Sequence, residues 1–273
     1  MTLNCNGKLI DLSAPKIMGI LNITPDSFFD GGKYKDEKKA LIQVEKMLTE
    51  GATFIDVGAY SSRPGASVIS EEIELSRILP IVQVLIKEFP EIILSIDTFR
   101  SGVADACLQE GAALINDISA GVQDDGMFLV VAKRNVPYIM MHMKGTPQNM
   151  QQNTAYEDLL IDVIYYFSER VAKAREQQIN DIVIDPGFGF SKTREQNYVL
   201  LKEMELLQSL ELPILAGLSR KSMIYGVLEN TAKEALNGTT ALNMLALHKG
   251  ANILRVHDVA EAMQCVKLNE HLI

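Results

Sequence analysis

One repeated unit constrains the fold more than any other feature: a short β-rich apolar run, then a polar loop, then an amphipathic stretch with helical spacing. Eight such runs occupy 17–21, 54–57, 92–96, 113–115, 138–141, 182–184, 214–216 and 253–256. Helix-like stretches between them include 37–50, 70–88, 156–178, 194–209 and 239–249. Alternation of this kind predicts an α/β fold whose parallel strands close into a (β/α)8 TIM barrel, with an open doubly wound sheet as the alternative. Ser70, followed by Ile73 and Glu74, marks one helix start, and Gly51 and Gly250 stop two other helices where a left-handed residue is useful. Ahead of the first run, 3–5 and 8–12 flank Asn6-Gly7, a dipeptide that tolerates positive φ at both positions and predicts a short N-terminal β-hairpin.

The chain of 273 residues, 47% hydrophobic and 22% charged, is long enough to bury one large core and falls in the size range of one barrel. No linker, low-complexity tract or shift in composition divides it, so a single domain over 1–273 is expected. A net charge of -9 argues against nucleic acid or an anionic membrane as a partner, and an anionic ligand must meet a local cluster of cations. Cys5, Cys107 and Cys265 are odd in number and widely spaced, which supports neither a disulfide framework nor a zinc site. With no signal-peptide pattern and no run of membrane-spanning length, the expectation is a soluble cytoplasmic protein.

Chemistry in such a barrel gathers where strands end, so the first polar residues after each apolar run are informative. They are Asn22, Asp56, Asp97, Asn116, His142, Asp185, Ser219 to Lys221, Arg255 and His257. Asp97, Asn116 and Asp185 can present acceptors and an amide to a flat heterocycle bearing several N–H groups, because paired hydrogen bonds to a carboxylate fix a ring plane. The bland alternatives are that Asp97 caps a helix after Thr98 and that Asp185 only stiffens the turn at Pro186. Arg63, Lys221, Arg255 and His257 supply cations from separate loops and strand ends, as phosphates on an acidic protein require. Arg255 and His257 alternate along one strand face, which places both in a barrel lumen or its mouth.

The stretch from Asn22 to Gly32 combines a carboxamide, hydroxyls, carboxylates, an aromatic pair and a Gly-Gly hinge after a buried strand. It reads as a ligand-handling loop, with Asn22 as the fixed contact and Thr24 to Gly32 as a cover that excludes water. Gly187 to Thr193 is not a nucleotide phosphate loop, since Ser191 and Pro186 stand where glycines are required. Its Phe188 and Phe190 instead suit the wall of a pocket for a flat substrate. His142, among methionines, reads as a hydrogen-bonded histidine near the core, and His248 as serving a helix C-terminus.

In order along the chain stand MGILNITPDSFFDGG, DVGAYSSRPGA, SIDTFRS, INDISA, MHM, DPGFGFSK, GLSRKS and RVHDV. From Lys16 to Val259 this series resembles the dihydropteroate synthase family, the folate-pathway transferases that are the sulfonamide target. The resemblance implies condensation of 6-hydroxymethyl-7,8-dihydropterin pyrophosphate with p-aminobenzoate to give 7,8-dihydropteroate and pyrophosphate. It implies that Asp97, Asn116, Asp185 and Lys221 bind the pterin. It likewise assigns Asn22, Ser62, Arg63, Arg255 and His257 to the pyrophosphate, with Mg²⁺ as cofactor and Asn22 at the metal. Phe28, Pro64, Phe190 and Ser222 are implied around the aminobenzoate, and a homodimer is expected.

One departure stands out: where many members of the family carry Glu-Ser-Thr, this chain has Tyr60-Ser61-Ser62. Ser62 keeps a hydroxyl that can donate, whereas Tyr60 lacks the carboxylate and is assigned no catalytic role. Two other readings share the fold: a pterin-dependent methyltransferase barrel, and a catalytically silent pterin-binding protein. Thr24 to Phe28 and Ser219 to Ser222 favour the synthase over the first, and the phosphate-site cations weigh against the second.

Overall fold

The computed structural model describes residues 1–23, 33–62 and 67–272. A hairpin, β1 (Thr2–Cys5) and β2 (Lys8–Asp11), turns through Asn6 and Gly7, both at positive φ (53° and 86°). Eight parallel strands follow: β3 (Lys16–Asn22), β4 (Phe54–Gly58), β5 (Leu94–Asp97), β6 (Leu114–Asp117), β7 (Tyr138–Met141), β8 (Ile182–Asp185), β9 (Leu215–Ala216) and β10 (Ile253–Val256). They pair in chain order from β3 to β8, and β3 also pairs with β10, which pairs with β9. A single parallel bridge between Ile184 and Ile214 joins β8 to the β9 side, so the sheet nearly closes into the expected barrel.

The helices are α1 (Lys33–Thr49), α2 (Glu71–Glu88), α3 (Ser101–Gln109), α4 (Met127–Arg134), α5 (Leu159–Glu176), α6 (Arg194–Lys202), α7 (Ser222–Tyr225), α8 (Leu236–His248) and α9 (Val259–Asn269). Ser70 caps α2 as expected, its side chain accepting from Ile73 N. Gly51 and Gly250 adopt φ of 105° and 92° after α1 and α8, a conformation that costs a glycine little. The stretch read as one helix over 194–209 divides at Glu203, after which Met204–Leu210 winds as a 3-10 helix. No helix among the described residues is long and apolar enough to cross a membrane.

Period-two alternation along the strands builds the site. Ile55, Val57, Ile115, Met140 and Ile184 face the helices in the outer core. Met18, Phe54, Leu114, Ile139, Val183, Leu215 and Ile253 form an inner layer together with Leu3, Cys5, Ile10 and Leu12 of the hairpin, which floors the barrel. Two residues further along the same faces come Asp56, Asn116, Asp185 and Arg255. An apolar plug therefore supports a polar layer at the C-terminal ends of the strands.

Candidate active site

Asp56, Asp97, Asn116 and Arg255 form one connected cluster in the upper barrel. Asp56 Oδ2 accepts from Arg255 Nε at 2.6 Å and from Asn116 Nδ2 at 2.9 Å. Arg255 Nη2 donates to Asp97 Oδ2, also at 2.6 Å. The Asp56 carboxylate is fully buried, and its Oδ1 has no hydrogen-bond partner among the described residues, which leaves an acceptor at the centre of the cluster. Burial raises the Asp97 carboxyl to about 7 against the opposing pull of Arg255, with Asp56 raising it further. Asp97 does not cap a helix: α3 begins at Ser101 with Arg100 at its cap position.

Across the mouth, Asp185 and Lys221 face each other. A methyl group at Gly217 would stand 3.9 Å from both Asp185 Oδ2 and Lys221 Nζ, so glycine leaves open the space between acid and ammonium. Burial raises the Asp185 carboxyl while Lys221 opposes it, and burial lowers the Lys221 ammonium to about 8. Asp185 has the turn role considered for it, since its Oδ1 accepts from Gly187 N at 2.8 Å. Lys221 Nζ donates to Phe188 O and lies 4.8 Å from the centre of the Phe190 ring. Phe190 packs on the mouth cluster of Ile118, Met141, Met143 and Met150. Phe188 does not wall the pocket; its side chain is fully buried in the outer core.

Beneath this loop lies Lys192, to which the sequence pointed only as part of a motif. Its buried ammonium stands 2.9 Å from His142 Nδ1 and donates to Gly187 O and Phe190 O, each at 3.1 Å. An ammonium can only donate, so His142 accepts through Nδ1 and keeps its proton on Nε2. Burial and the neighbouring cation hold His142 well below its ordinary range, and it is the core histidine anticipated. Burial likewise lowers Lys192 to about 7.

On the remaining rim, the His257 amide donates to Ser219 Oγ at 3.2 Å, and the same hydroxyl lies 2.9 Å from His257 Nδ1. Arg220, at positive φ (56°), forks onto Asp258 with two bonds of 2.8 Å and ties the 217–222 loop to the end of β10. Ser222 is exposed on this loop, and Asn22 and Ser62 are half-buried at the ends of β3 and of the segment after β4. Phe28, Arg63 and Pro64 lie outside the described residues, as does the proposed cover from Thr24 to Gly32.

The family model described as "Pterin binding enzyme" matches residues 18–257. The dihydropteroate synthase of Haemophilus influenzae is 42% identical over 270 residues, covering 98% of each chain. The chain belongs to the dihydropteroate synthase family. Among solved structures, the Yersinia pestis dihydropteroate synthase with a sulfonamide drug complex superposes with a TM-score of 0.93 at 41% identity, covering 100% of this chain and 99% of that one. The Xanthomonas albilineans dihydropteroate synthase in complex with 7,8-dihydropteroate gives a TM-score of 0.89 at 33% identity, over 100% and 98% of the two chains. Against this family background, two residues of the described cluster stand out because sequence reasoning gave them no role: Asp56, which holds Arg255, and Lys192. Asp56 is among the strand-end polar residues, and that was its only signal in the sequence.

Proposed function

We propose that this chain condenses 6-hydroxymethyl-7,8-dihydropterin pyrophosphate with p-aminobenzoate, giving 7,8-dihydropteroate and pyrophosphate. The observation that carries the reading is the convergence of Asp97, Asn116, Asp185, Lys221 and Arg255 at one end of a barrel from the dihydropteroate synthase family. A pterin presents donors along one edge and acceptors along the other, which Asp185, Asp97 and Lys221 complement. Arg255 uses Nε and Nη2 on carboxylates, and its Nη1 forms no hydrogen bond among the described residues. That donor, with Asn22, Ser62, Arg63 and His257, is assigned to the pyrophosphate. Phe190 and Ser222, joined by Phe28 and Pro64, are assigned to the aminobenzoate.

The substitution is dissociative in this account. The bond from the pterin methylene carbon to the pyrophosphate oxygen breaks first, the electron pair leaves with pyrophosphate, and the electron-rich ring carries the positive charge. The aniline nitrogen then attacks the methylene carbon, and the proton it sheds passes to the released pyrophosphate. The protein supplies no nucleophile; Asp97 and Asp185 flank the cation, and the cations at the mouth meet the developing phosphate charge. Among the described residues no group of three His, Cys, Asp or Glu side chains is placed to cage a metal. The Asn22 carboxamide is a hard oxygen donor, which fits Mg²⁺ because that ion keeps waters and substrate phosphates and needs one or two protein oxygens. When bound, Mg²⁺ would neutralise charge on the leaving pyrophosphate.

A homodimer and a cytoplasmic location belong to the same reading. Exposed Leu245 on α8 and Leu268 on α9 support a paired C-terminal face, and three free, buried cysteines suit a reducing compartment. The test is incubation of the purified protein with both substrates and Mg²⁺. Equal amounts of pyrophosphate and dihydropteroate are expected, and folded protein that makes neither would overturn the reading.

A further inference from the structure

Tyr60 stands directly beyond β4, at the root of the segment that carries Ser62. Its ring meets Phe99 edge to face, with 5.1 Å between centres and 89° between planes. The Arg100 guanidinium carbon lies 5.4 Å from the centre of the Tyr60 ring and 5.1 Å from that of Phe99. Gln148 Nε2, on the connection after β7, donates to the Tyr60 hydroxyl at 2.8 Å. Arg100 is itself held fast: Nη1 donates to Glu74 Oε2 at 2.5 Å and Nη2 to Ile69 O at 2.6 Å. Glu74 is fully buried and accepts from Thr98 Oγ1 at 2.7 Å, so its two oxygens are both engaged. One guanidinium therefore touches Tyr60 before Ser62 and Ile69 beyond it. Phe99 continues the contact inward, because it packs on the same methionine-rich cluster as Phe190.

We propose that Tyr60 is a positioning residue for the condensation: through Arg100 and Phe99 it fixes Ser62 relative to the barrel mouth, replacing by a π face the anchorage that a carboxylate there would gain by ion pairing. The inference rests on the reading of function given above. The chemistry of the exchange is direct, since an aromatic face attracts a guanidinium as an anion does, and the ring adds contact with Phe99. Arg100 Nε forms no hydrogen bond among the described residues, which leaves a donor for a carboxylate at position 60. Tyr60 makes no contact with Asp97, Asn116, Asp185 or Lys221 in the hydrogen-bond network, so its effect should bypass the pterin itself.

Four variants test this. Tyr60→Ala should lower kcat/KM for the pterin pyrophosphate by about tenfold, the loss expected from one guanidinium–ring and one ring–ring contact. Its affinity for 6-hydroxymethylpterin, which lacks the pyrophosphate, should stay at the wild-type value by calorimetry. Tyr60→Glu should retain activity within about threefold of wild type, as an ion pair of modest strength replaces the ring. Tyr60→Phe should match Gln148→Ala, because each removes only the hydroxyl contact. Amide hydrogen exchange at Ser61, Ser62 and Ile69 reads the anchorage without turnover and should accelerate in Tyr60→Ala but not in Tyr60→Glu. Wild-type kinetics and exchange in Tyr60→Ala, or a Tyr60→Glu variant as impaired as the alanine, would overturn the proposal. An inactive wild type would defeat the reading of function, while the exchange comparison would still decide the role of Tyr60.

Discussion

Asp56 is the most exacting place to perturb the site, because one carboxylate oxygen organises two of the side chains proposed to bind substrate. Asp56→Ala deletes the acceptor of the 2.6 Å bond from Arg255 Nε and the 2.9 Å bond from Asn116 Nδ2. Removing one member of a buried ion pair costs about 3–5 kcal/mol. Arg255 keeps Asp97 at 2.6 Å, so the low end of that range applies, about 3 kcal/mol. At roughly 2–4 °C per kcal/mol for a chain of about this size, the midpoint should fall by roughly 6–12 °C. Asp56→Asn keeps the shape and an acceptor but exchanges a charge-assisted bond for a neutral one, a loss of about 1 kcal/mol. Urea unfolding monitored by circular dichroism gives both values, with the slope confirming that the folded states are comparable. An alanine variant within about 0.5 kcal/mol of wild type, the range of an ordinary surface substitution, would refute the view that Asp56 secures Arg255.

Three further outcomes follow from ionisation. Pterin binding should rise as pH passes about 7, where Asp97 ionises, and fall above about 8, where Lys221 loses its proton; a calorimetric pH series should show a maximum between. Asp56→Asn should move the rising limb to lower pH, because the Asp56 charge helps to raise Asp97. For Lys192, the folded state releases its proton near 7 and the unfolded chain nearer the ordinary lysine value of 10.5, so the unfolded chain holds more protons between these values. The contribution of Lys192 to stability therefore increases with pH across that window, and Lys192→Met should flatten the slope of unfolding free energy between pH 7 and 10. An unchanged slope would mean that the ammonium is not desolvated in the fold.

The barrel was legible because each strand is a short apolar run with a polar residue at its end, a local pattern that needs no tertiary information. Asp97, Asn116, Asp185, Lys221 and Arg255 came from that pattern, and the structure gathers them at one end. Asp56 came from it as well, but its partner lies 199 positions away, and no spacing rule connects them. Helices α3 and α4 escaped the pattern because they are short and their cap positions, Arg100 and Gly126, supply no side-chain cap. The long stretch after Thr193 kept its apolar spacing through Glu203, so periodicity alone did not separate an α-helix from the 3-10 turn that follows. Phe188 and Phe190 look equivalent in sequence, yet the turn set by Asp185 and Lys192 sends one ring into the core and leaves the other at the mouth.

The claim that the strand-end acids and Lys221 form a pterin site is tested most directly by titrating 6-hydroxymethylpterin into wild type and Asp185→Asn by calorimetry at pH 7.5, a pH chosen between the Asp97 and Lys221 values of about 7 and about 8. Loss of the carboxylate removes a charge-assisted pairing with the ring edge and leaves Lys221 without its facing acid, so affinity should drop by about tenfold or more. Equal affinity in the two proteins would contradict the assignment and place the pterin elsewhere.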